Sequence, residues 1–164
     1  MKVREATTED CEAIGRGMKA VVEEGRWLAT EPGTPLEDLV ERFRAAVEWD
    51  GHFLFVLEDG GQLIGSLGLH PSPADGVLTL GMWVLPEWRG RGGGRMLIEA
   101  ALASVPPEAH KIELEVFPDN DAAISLYREF GFEEEGLRRR HYRRRDGSLR
   151  SALLMARLYG DAAG

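Results

Sequence analysis

The residues best placed to do chemistry are four glycines and three arginines gathered in one short turn near the middle of the chain. They are Arg89, Gly90, Arg91, Gly92, Gly93, Gly94 and Arg95. Glycines at a helix entrance let main-chain N–H groups converge without side chains in the way, and the helix end adds partial positive charge. The arginines crowd a place where the helix dipole disfavours cations, which a bound anion would explain. The turn therefore predicts a phosphate cradle, with a merely flexible strand-to-helix connection as the alternative.

Two common nucleotide-binding motifs do not fit this turn. A P-loop requires a lysine followed by serine or threonine, and the turn contains neither lysine nor a hydroxyl. A dinucleotide fingerprint starting at Gly90 would need glycine where Arg95 stands, and it belongs to an N-terminal βαβ unit rather than to mid-chain. Both nucleotide interpretations are therefore excluded.

Carboxylates occur at further places where they could meet a cation. Glu24 lies close to Trp27, and a carboxylate beside an indole suits an ammonium group through ion pairing and cation–π contact. Trp27 could equally fill a gap between helices. Glu113 and Glu115 alternate with apolar residues on a predicted strand, so both share its polar side, where one can line a cleft or both can be solvated.

The overall composition is that of an ordinary soluble globular protein. Its 164 residues are 43% hydrophobic and 29% charged, which excludes disorder and fibrous repeats. The formal net charge is −8, and Arg138–Arg145 holds six of the 20 basic residues, so the remaining body is strongly acidic. An acidic body repels nucleic acid and favours an amine or a basic peptide as partner. We expect the arginine run to alternate across a hairpin strand, with nucleic-acid binding as the alternative.

Several features bear on the location of the protein. No apolar stretch is long enough to span a membrane, and the first residues lack the apolar region of a secretory signal. The single cysteine, Cys11, cannot form an internal disulfide, which suits a reducing cytosol. His, Cys and Asp do not cluster at the spacing of metal ligands. We therefore expect a cytoplasmic protein with no membrane contact and no metal.

The elements that must position these residues follow from hydrophobic periodicity and turn signals, which predict the order β-α-α-β-β-β-α-β-α-β-β in one α/β domain. The predicted helices are Thr8–Glu24, Pro35–Trp49, one beginning near Met96 after the glycine turn, and one that Asn120 caps and Gly131 closes. The predicted strands are Val3–Ala6, His52–Leu57, Gln62–Leu69, Val77–Leu85, Lys111–Phe117, one from Phe132 onward and Ser148–Leu158.

A series of motifs lies on these elements in a specific order. The residues from Arg89 to Gly94 read R-G-R-G-G-G, Val116–Asn120 reads V-F-P-D-N, and Ala123–Phe132 reads A-I-S-L-Y-R-E-F-G-F. These resemble the Arg/Gln-x-x-Gly-x-Gly/Ala signature, the next strand end and the A-I-x-L-Y-x-x-x-G-F segment of the GCN5-related N-acetyltransferase (GNAT) family. Because the preceding strand and the closing segment Gly147–Leu158 are similar as well, the resemblance extends over most of the chain.

The resemblance implies a fold. It implies a single N-acetyltransferase domain over residues 1–164. Its sheet would be mixed but mostly antiparallel, with about seven strands and about four helices. The sheet would be splayed between its fourth and fifth strands, with the co-substrate acetyl-CoA in the gap. Unpaired N–H and C=O groups on the open strand edges suit such an amide-rich ligand.

The resemblance also implies which residues hold acetyl-CoA. The main chain from Arg91 to Arg95 would hold its pyrophosphate, and Arg89 and Gly90 would belong to the same cofactor site. Val84 and its neighbours would pair with the pantetheine arm, and the N–H of Val84 or Leu85 would stabilise the oxyanion. Asn120 would lie near the pantetheine arm and also cap the helix that begins after it.

The chemistry of transfer has one strong candidate acid and no evident base. The resemblance gives Tyr127 the role of acid toward the thioester sulfur, since a phenol carries a proton at neutral pH. Its spacing with Leu126 and Phe130 on one helical face predicts a core residue instead. The strand segment Leu78–Leu85 contains no carboxylate. The alternatives for the base are Glu113 or Glu115, a water molecule, or an amine that arrives neutral.

The function that these features favour is transfer of the acetyl group of acetyl-CoA to a primary amine in a ternary complex. The resemblance points to a small, amino-acid-like acceptor, bound near Glu24 and Trp27. The alternatives are acetylation of a protein N-terminus, as in relatives acting on ribosomal proteins, and a non-catalytic module that binds acyl-CoA. A homodimer is compatible with the resemblance, although the sequence shows no interface.

Overall fold

Within residues 1–160, which the computed structural model describes, seven strands and four α-helices occur in the order predicted from periodicity. The strands are β1 (Lys2–Glu5), β2 (Phe53–Asp59), β3 (Gln62–Pro71), β4 (Val77–Val84), β5 (Lys111–Val116), β6 (Glu133–Arg143) and β7 (Leu149–Leu158). The helices are α1 (Cys11–Glu23), α2 (Leu36–Glu48), α3 (Gly93–Ala103) and α4 (Asp121–Glu129). The glycine turn thus contributes residues to α3 itself, which begins earlier than the predicted start near Met96. No helix in this part of the chain is long and apolar enough to cross a membrane.

The strands form one mixed sheet in the order β1-β2-β3-β4-β5-β7-β6. Every neighbouring pair is antiparallel except β4 and β5, which are parallel. That parallel pairing covers only Val77–Thr79 against Lys111–Glu113. Beyond Thr79 the two strands diverge, so the predicted splay between the fourth and fifth strands is confirmed.

The divergence leaves one edge of β4 without a strand partner. At the end of β4 the Leu85 N–H donates to the Ile64 carbonyl at 2.9 Å, and at its start the Ser72 N–H donates to the Val77 carbonyl at 2.9 Å. Hydrogen-bonding residues alternate along an antiparallel pair. Beyond the pairing with β5, the main-chain groups of Leu80, Met82 and Val84 therefore point away from β3 and toward the gap.

The helices cover both faces of the sheet. An ideal Cβ on Gly17 of α1 would lie 2.2 Å from Cη2 of Trp83, so α1 packs directly on the indole of that β4 residue. An ideal Cβ on Gly93 of α3 would lie 2.5 Å from Cδ2 of Leu57. Leu57 in turn shares its face with Val84, because both lie close to Gly65. Trp83 and Val84 point to opposite faces, so α1 and α3 lie on opposite sides of the sheet.

Candidate functional site

The gap between β4 and β5 is a cleft of about 790 Å³. Its walls come from β4, the glycine turn, the end of β5, α4 and the segment after α1. Main-chain groups that no strand satisfies face the gap along β4, and helix α3 starts at its edge. The cleft therefore lies where the splayed sheet and a helix N-terminus offer polar main-chain groups together.

The glycine turn forms the N-terminus of α3. Gly92 adopts the left-handed conformation with φ of 85° and caps the helix, and the first hydrogen bond of α3 runs from the Met96 N–H to the Gly92 carbonyl at 3.1 Å. The N–H groups of Gly93, Gly94 and Arg95 precede that bond and have no intrahelical acceptor. Among residues 1–160, no atom beyond the adjoining backbone lies within 4 Å of an ideal Cβ on Gly92. The turn thus presents free donors to open space, as an anion cradle requires.

The three arginines of the turn differ in what they contact. Arg89 donates to both carboxylate oxygens of Glu24, and Arg95 is paired with Glu129. Within residues 1–160, Arg91 contacts no carboxylate and lies over the ring of Trp88 at 5.0 Å. The crowding of arginines therefore does not by itself require an anion, because two of them have carboxylate partners. The argument for an anion site therefore rests on the free main-chain N–H groups rather than on the arginine side chains.

The choice between Val84 and Leu85 as oxyanion donor is narrowed by the sheet. The N–H of Leu85 is occupied by the Ile64 carbonyl, and Leu85 is not among the residues that line the cleft. Val84 lines the cleft, and the alternation of the β3–β4 ladder directs its N–H toward the gap. Because the Leu85 N–H already belongs to the sheet, Val84 is the predicted oxyanion donor that the structure leaves available.

Tyr127 both packs in the core and lines the cleft. The residue is 6% exposed, and its ring lies 5.8 Å from that of Phe132. It forms part of the cleft wall on α4. Burial raises the pKa of Tyr127 to about 12. The hydroxyl therefore keeps its proton at neutral pH, so the two interpretations drawn from the sequence are compatible.

Asn120 caps α4, the helix that also places Tyr127 in the cleft wall. Its side-chain oxygen accepts a hydrogen bond from the Ala123 N–H at 3.3 Å, which confirms the predicted cap. The same residue lines the cleft. Capping fixes the amide side chain at the start of the helix that also carries Tyr127.

The two glutamates of β5 are separated by the splay. Glu113 pairs with Thr79 in the last position where β4 and β5 are joined, and it lies within 3.4 Å of the Ser72 hydroxyl. Glu115 lies beyond that point and lines the cleft. It accepts a hydrogen bond from the Tyr142 hydroxyl and is paired with Arg138. Burial and the hydrogen bond to Glu115 raise the pKa of Tyr142 to about 12.

A small pocket of about 40 Å³ adjoins the cleft where β5 ends. Trp27 and Glu115 line both the cleft and this pocket, and Phe117 and Tyr142 complete its aromatic wall. The structure therefore brings Trp27 and Glu115 together. It does not bring Glu24 to the cleft, since that carboxylate is bound by Arg89 and is not among the lining residues.

Two arginines that sequence reasoning did not single out hold the segment after α1 against the sheet. Arg144 is 7% exposed, ion-pairs with Glu31 at 3.0 Å and donates to the carbonyls of Leu28 and Ala29. Arg150 donates to the Arg26 carbonyl and to Asp119. Arg144 belongs to the Arg138–Arg145 run, and Arg138 of the same run neutralises Glu115, so members of the run anchor a loop or pair with a carboxylate. Arg150 lies outside that run.

Comparison with known proteins decides the family. The model of the Acetyltransferase (GNAT) family matches residues 21–132. The chain belongs to the GNAT family. That match includes the glycine turn, Asn120 and Tyr127.

No three His, Cys, Asp or Glu side chains of residues 1–160 are grouped as metal ligands.

Individual GNAT relatives differ in the acceptors that their names state. The N-alpha-acetyltransferase RimI of Mycobacterium tuberculosis is 44% identical over 89 residues, which is 51% of this chain and 54% of that protein. The L-amino acid N-acetyltransferase AaaT of Escherichia coli is 34% identical over 84 residues, 50% of this chain and 51% of that protein. The chain thus spans about half the length of these curated relatives.

A solved GNAT structure shows the same fold. A phosphinothricin acetyltransferase from Sinorhizobium meliloti, solved in complex with AcCoA, aligns with a TM-score of 0.85 at 20% identity. The alignment covers 99% of this chain and 90% of that one. The predicted GNAT fold is therefore confirmed over the whole described sheet.

Proposed function

We propose that this GNAT protein transfers the acetyl group of acetyl-CoA to the primary amine of a small, amino-acid-like molecule. The observation that carries the proposal is the cleft itself. Free N–H groups of α3 lie at its edge, free main-chain groups of β4 lie along it, and a tyrosine that stays protonated lies in its wall. Membership of the family supports the same activity.

The glycine turn and β4 would hold the co-substrate. The N–H groups of Gly93, Gly94 and Arg95 suit the pyrophosphate because they are free and aligned with the helix dipole. The edge of β4 that lacks a strand partner, up to the Val84 N–H, suits the amide groups of the pantetheine arm, which would add to the sheet like a strand. Asn120 would contact the same arm while it caps α4. Each assignment uses main-chain or side-chain groups that line the cleft.

The transfer step forms one bond and breaks another. The neutral amine nitrogen attacks the thioester carbonyl, the new C–N bond forms, and the C–S bond breaks as the thiolate leaves. The Val84 N–H would stabilise the oxyanion. Tyr127 would give its proton to the departing sulfur. The proton released by the amine would pass to Glu115 directly or through water, since Glu115 is the carboxylate on β5 that lines the cleft.

The acceptor would approach from the side of Trp27 and Glu115. The adjoining pocket of about 40 Å³ is lined by a carboxylate and aromatic rings, which suit a small group with positive character. The acidic net charge of −8 favours a cationic substrate as well. Trp27, Glu115 and Tyr142 are therefore the proposed acceptor-binding residues.

Acetylation of a protein N-terminus is the second candidate, and the 44% identity to an N-alpha-acetyltransferase RimI favours it specifically. A free amino acid and a peptide that begins with the same residue share the reacting α-amino group, and only the peptide continues beyond that residue. A comparison of these paired acceptors therefore separates the two candidates. We expect a higher kcat/KM for the free amino-acid-like compounds; a higher value for peptides would favour the RimI-like function.

The first experiment measures the release of free thiol from acetyl-CoA in the presence of pooled amines. We expect amine-dependent release above the hydrolytic background. Binding of coenzyme A without release for any amine would contradict the enzymatic proposal and favour a non-catalytic acyl-CoA-binding module. The homodimer and the cytoplasmic location stay predictions.

A further inference from the structure

The guanidinium of Arg89 binds two other elements of the fold through three of its five N–H groups. Its Nε donates to the Val84 carbonyl at 3.0 Å. Its Nη1 and Nη2 donate to the two carboxylate oxygens of Glu24 at 2.9 and 2.6 Å. A two-pronged contact of this kind fixes orientation as well as distance, because both groups are planar. Arg89 therefore joins the end of β4 to the residue that caps α1.

These contacts cross the end of the cleft. Val84 is the last residue of β4, and its main chain supplies the proposed oxyanion donor. Glu24 caps the C-terminus of α1, directly before Gly25, which turns the chain in the left-handed conformation with φ of 65°. Trp27 and Leu28, which line the cleft, lie a few residues further along the chain. The ion pair therefore lies between the acyl side and the acceptor side of the site.

The partial burial of the pair argues for a defined geometry. The side chains of Arg89 and Glu24 are 34% and 26% exposed, in contrast to the Arg16–Glu12 pair on α1, where both side chains are about two-thirds exposed at 65% and 66%. Exposed pairs of the latter kind contribute little to stability or order. A third hydrogen bond to the Val84 carbonyl distinguishes Arg89 further.

The contacts of Arg89 also argue against a role for its side chain in phosphate binding. The charge of the guanidinium is already balanced by the Glu24 carboxylate, and only one N–H of Nη1 and one of Nη2 are left for another acceptor. The phosphate cradle has other donors, namely the free N–H groups at the start of α3. Arg91, which contacts no carboxylate within residues 1–160, is the arginine of the turn that is free to meet an anion.

We propose that Arg89 and Glu24 form a positioning pair, which holds the acceptor-side segment after α1 in register with the Val84 main chain. This inference rests on the proposed function. It replaces the phosphate contact predicted for Arg89 and the direct ammonium contact predicted for Glu24. In this role the pair sets the distance between the bound amine and the acyl carbonyl, on which the rate of a two-substrate reaction depends strongly.

The test compares Arg89→Gln, Glu24→Gln and the double variant, with Glu12→Gln as the matched control on the same helix. Each single variant is expected to lower kcat/KM for the acceptor about tenfold, through a higher KM, a lower kcat or both. The reason is that a small misplacement of the bound amine relative to the acyl carbonyl is costly. The double variant is expected to lose no more than the more impaired single variant, since both remove the same contact. The affinity for coenzyme A, measured by calorimetry, should stay unchanged in all of them.

A second measurement reports on positioning without any turnover. Hydrogen exchange of the main chain over residues 25–30 should become faster in both single variants and stay unchanged in Glu12→Gln. If the wild-type protein transfers no acetyl group, the proposed function fails, while this exchange measurement still decides whether the pair orders the segment. Unchanged exchange in both variants would overturn the pair's role.

Two kinetic outcomes would also overturn it. If Arg89→Gln weakens coenzyme A binding by tenfold or more while Glu24→Gln does not, Arg89 is a phosphate ligand after all. If the effects of the two single variants on kcat/KM add in the double variant, the two residues act independently.

Discussion

At the scale of single residues, the protonation of Tyr127 decides the chemistry at the leaving group. The hydroxyl is the proposed proton source for the thiolate, and burial holds its pKa at about 12. Replacement of Tyr127 by phenylalanine keeps the packing against Phe132 but removes the proton. We expect kcat to fall about a hundredfold, which is typical of a lost general acid, with little change in coenzyme A affinity.

Steady-state kinetics and calorimetry on the same preparation check this prediction. Tyr159→Phe is a suitable control, because Tyr159 is a tyrosine outside the cleft lining. An equal loss of turnover and of coenzyme A affinity would show that Tyr127 is only a packing residue. The raised pKa also predicts how kcat depends on pH. An ordinary tyrosine loses its proton near pH 10, whereas Tyr127 should still be protonated there, so kcat should not fall near pH 10 through ionisation of this phenol.

The residues that sequence reasoning identified and missed differ in the kind of contact they make. Local spacing predicted the burial of Tyr127 on a helix face and the helix cap at Asn120, whereas the acid role of Tyr127 was suggested by the family resemblance. Glu113 and Glu115 were not separable, because strand alternation puts both on one side, and only the end of the β4–β5 pairing at Thr79 distinguishes them. Tyr142 was missed because its hydrogen bond to Glu115 joins residues that are distant in sequence.

At the scale of elements, the approach of α1 to β4 depends on a glycine. An ideal Cβ on Gly17 would lie 2.2 Å from Trp83 Cη2, and Trp83 is itself only 7% exposed. In Gly17→Ala the rigid indole or the helix must therefore move. The gain in helix propensity is about 1 kcal/mol, and overpacking of a filled core costs about 1–3 kcal/mol. Given the severity of this overlap, we expect net destabilisation.

Denaturant unfolding measures this effect directly. The control is Gly136→Ala on the exposed strand β6, where an ideal Cβ has no atom within 4 Å from the described part of the chain apart from its sequence neighbours. We expect that control to change the free energy of unfolding by less than about 0.5 kcal/mol. Equal stability of Gly17→Ala and the wild type would contradict the close contact between α1 and β4.

The order of the helices and strands was predictable because it follows from local sequence patterns. The ion pairs that hold these elements together were not predictable. Periodicity and turn signals identified all the strands and helices, and the family resemblance supplied the splay. The contacts of Arg144 with Glu31 and of Arg89 with Glu24 pair charges over long separations in sequence. An arginine in a run of arginines carries no local signal of which carboxylate it will meet, so these contacts required the structure.

At the scale of the whole molecule, an ion-pair network joins the N-terminal strand to the rest of the sheet. Arg4 of β1 donates to Asp10 at 2.8 and 2.9 Å and also contacts Glu58 of β2. Hydrogen bonding by Arg4 lowers the pKa of Asp10 to about 2, and the Asp10 side chain is 14% exposed. Because the folded pKa lies below the unfolded one, this stabilisation is present above about pH 4 and is lost as the pH falls toward 2.

Replacement of Asp10 by asparagine removes the carboxylate that Arg4 binds, so we expect the free energy of unfolding at neutral pH to be lower than in the wild type. The difference in pKa corresponds to about 2 kcal/mol. The variant's free energy of unfolding should also depend less on pH between about 4 and 2 than that of the wild type. Measurement by urea unfolding across this range checks both statements. Parallel pH curves for the two proteins would show that Asp10 does not titrate with a lowered pKa.

The decisive experiment for the whole molecule is calorimetric titration of the wild type and Gly92→Glu with coenzyme A. Gly92 adopts a left-handed φ of 85° and faces open space at the N-terminus of α3. A glutamate there would strain the backbone and place a negative charge where the diphosphate is expected. We predict measurable heat of binding for the wild type and none for the variant, with both proteins folded. Absence of binding to the wild type, or unchanged binding to Gly92→Glu, would contradict the assignment of the diphosphate to this helix N-terminus.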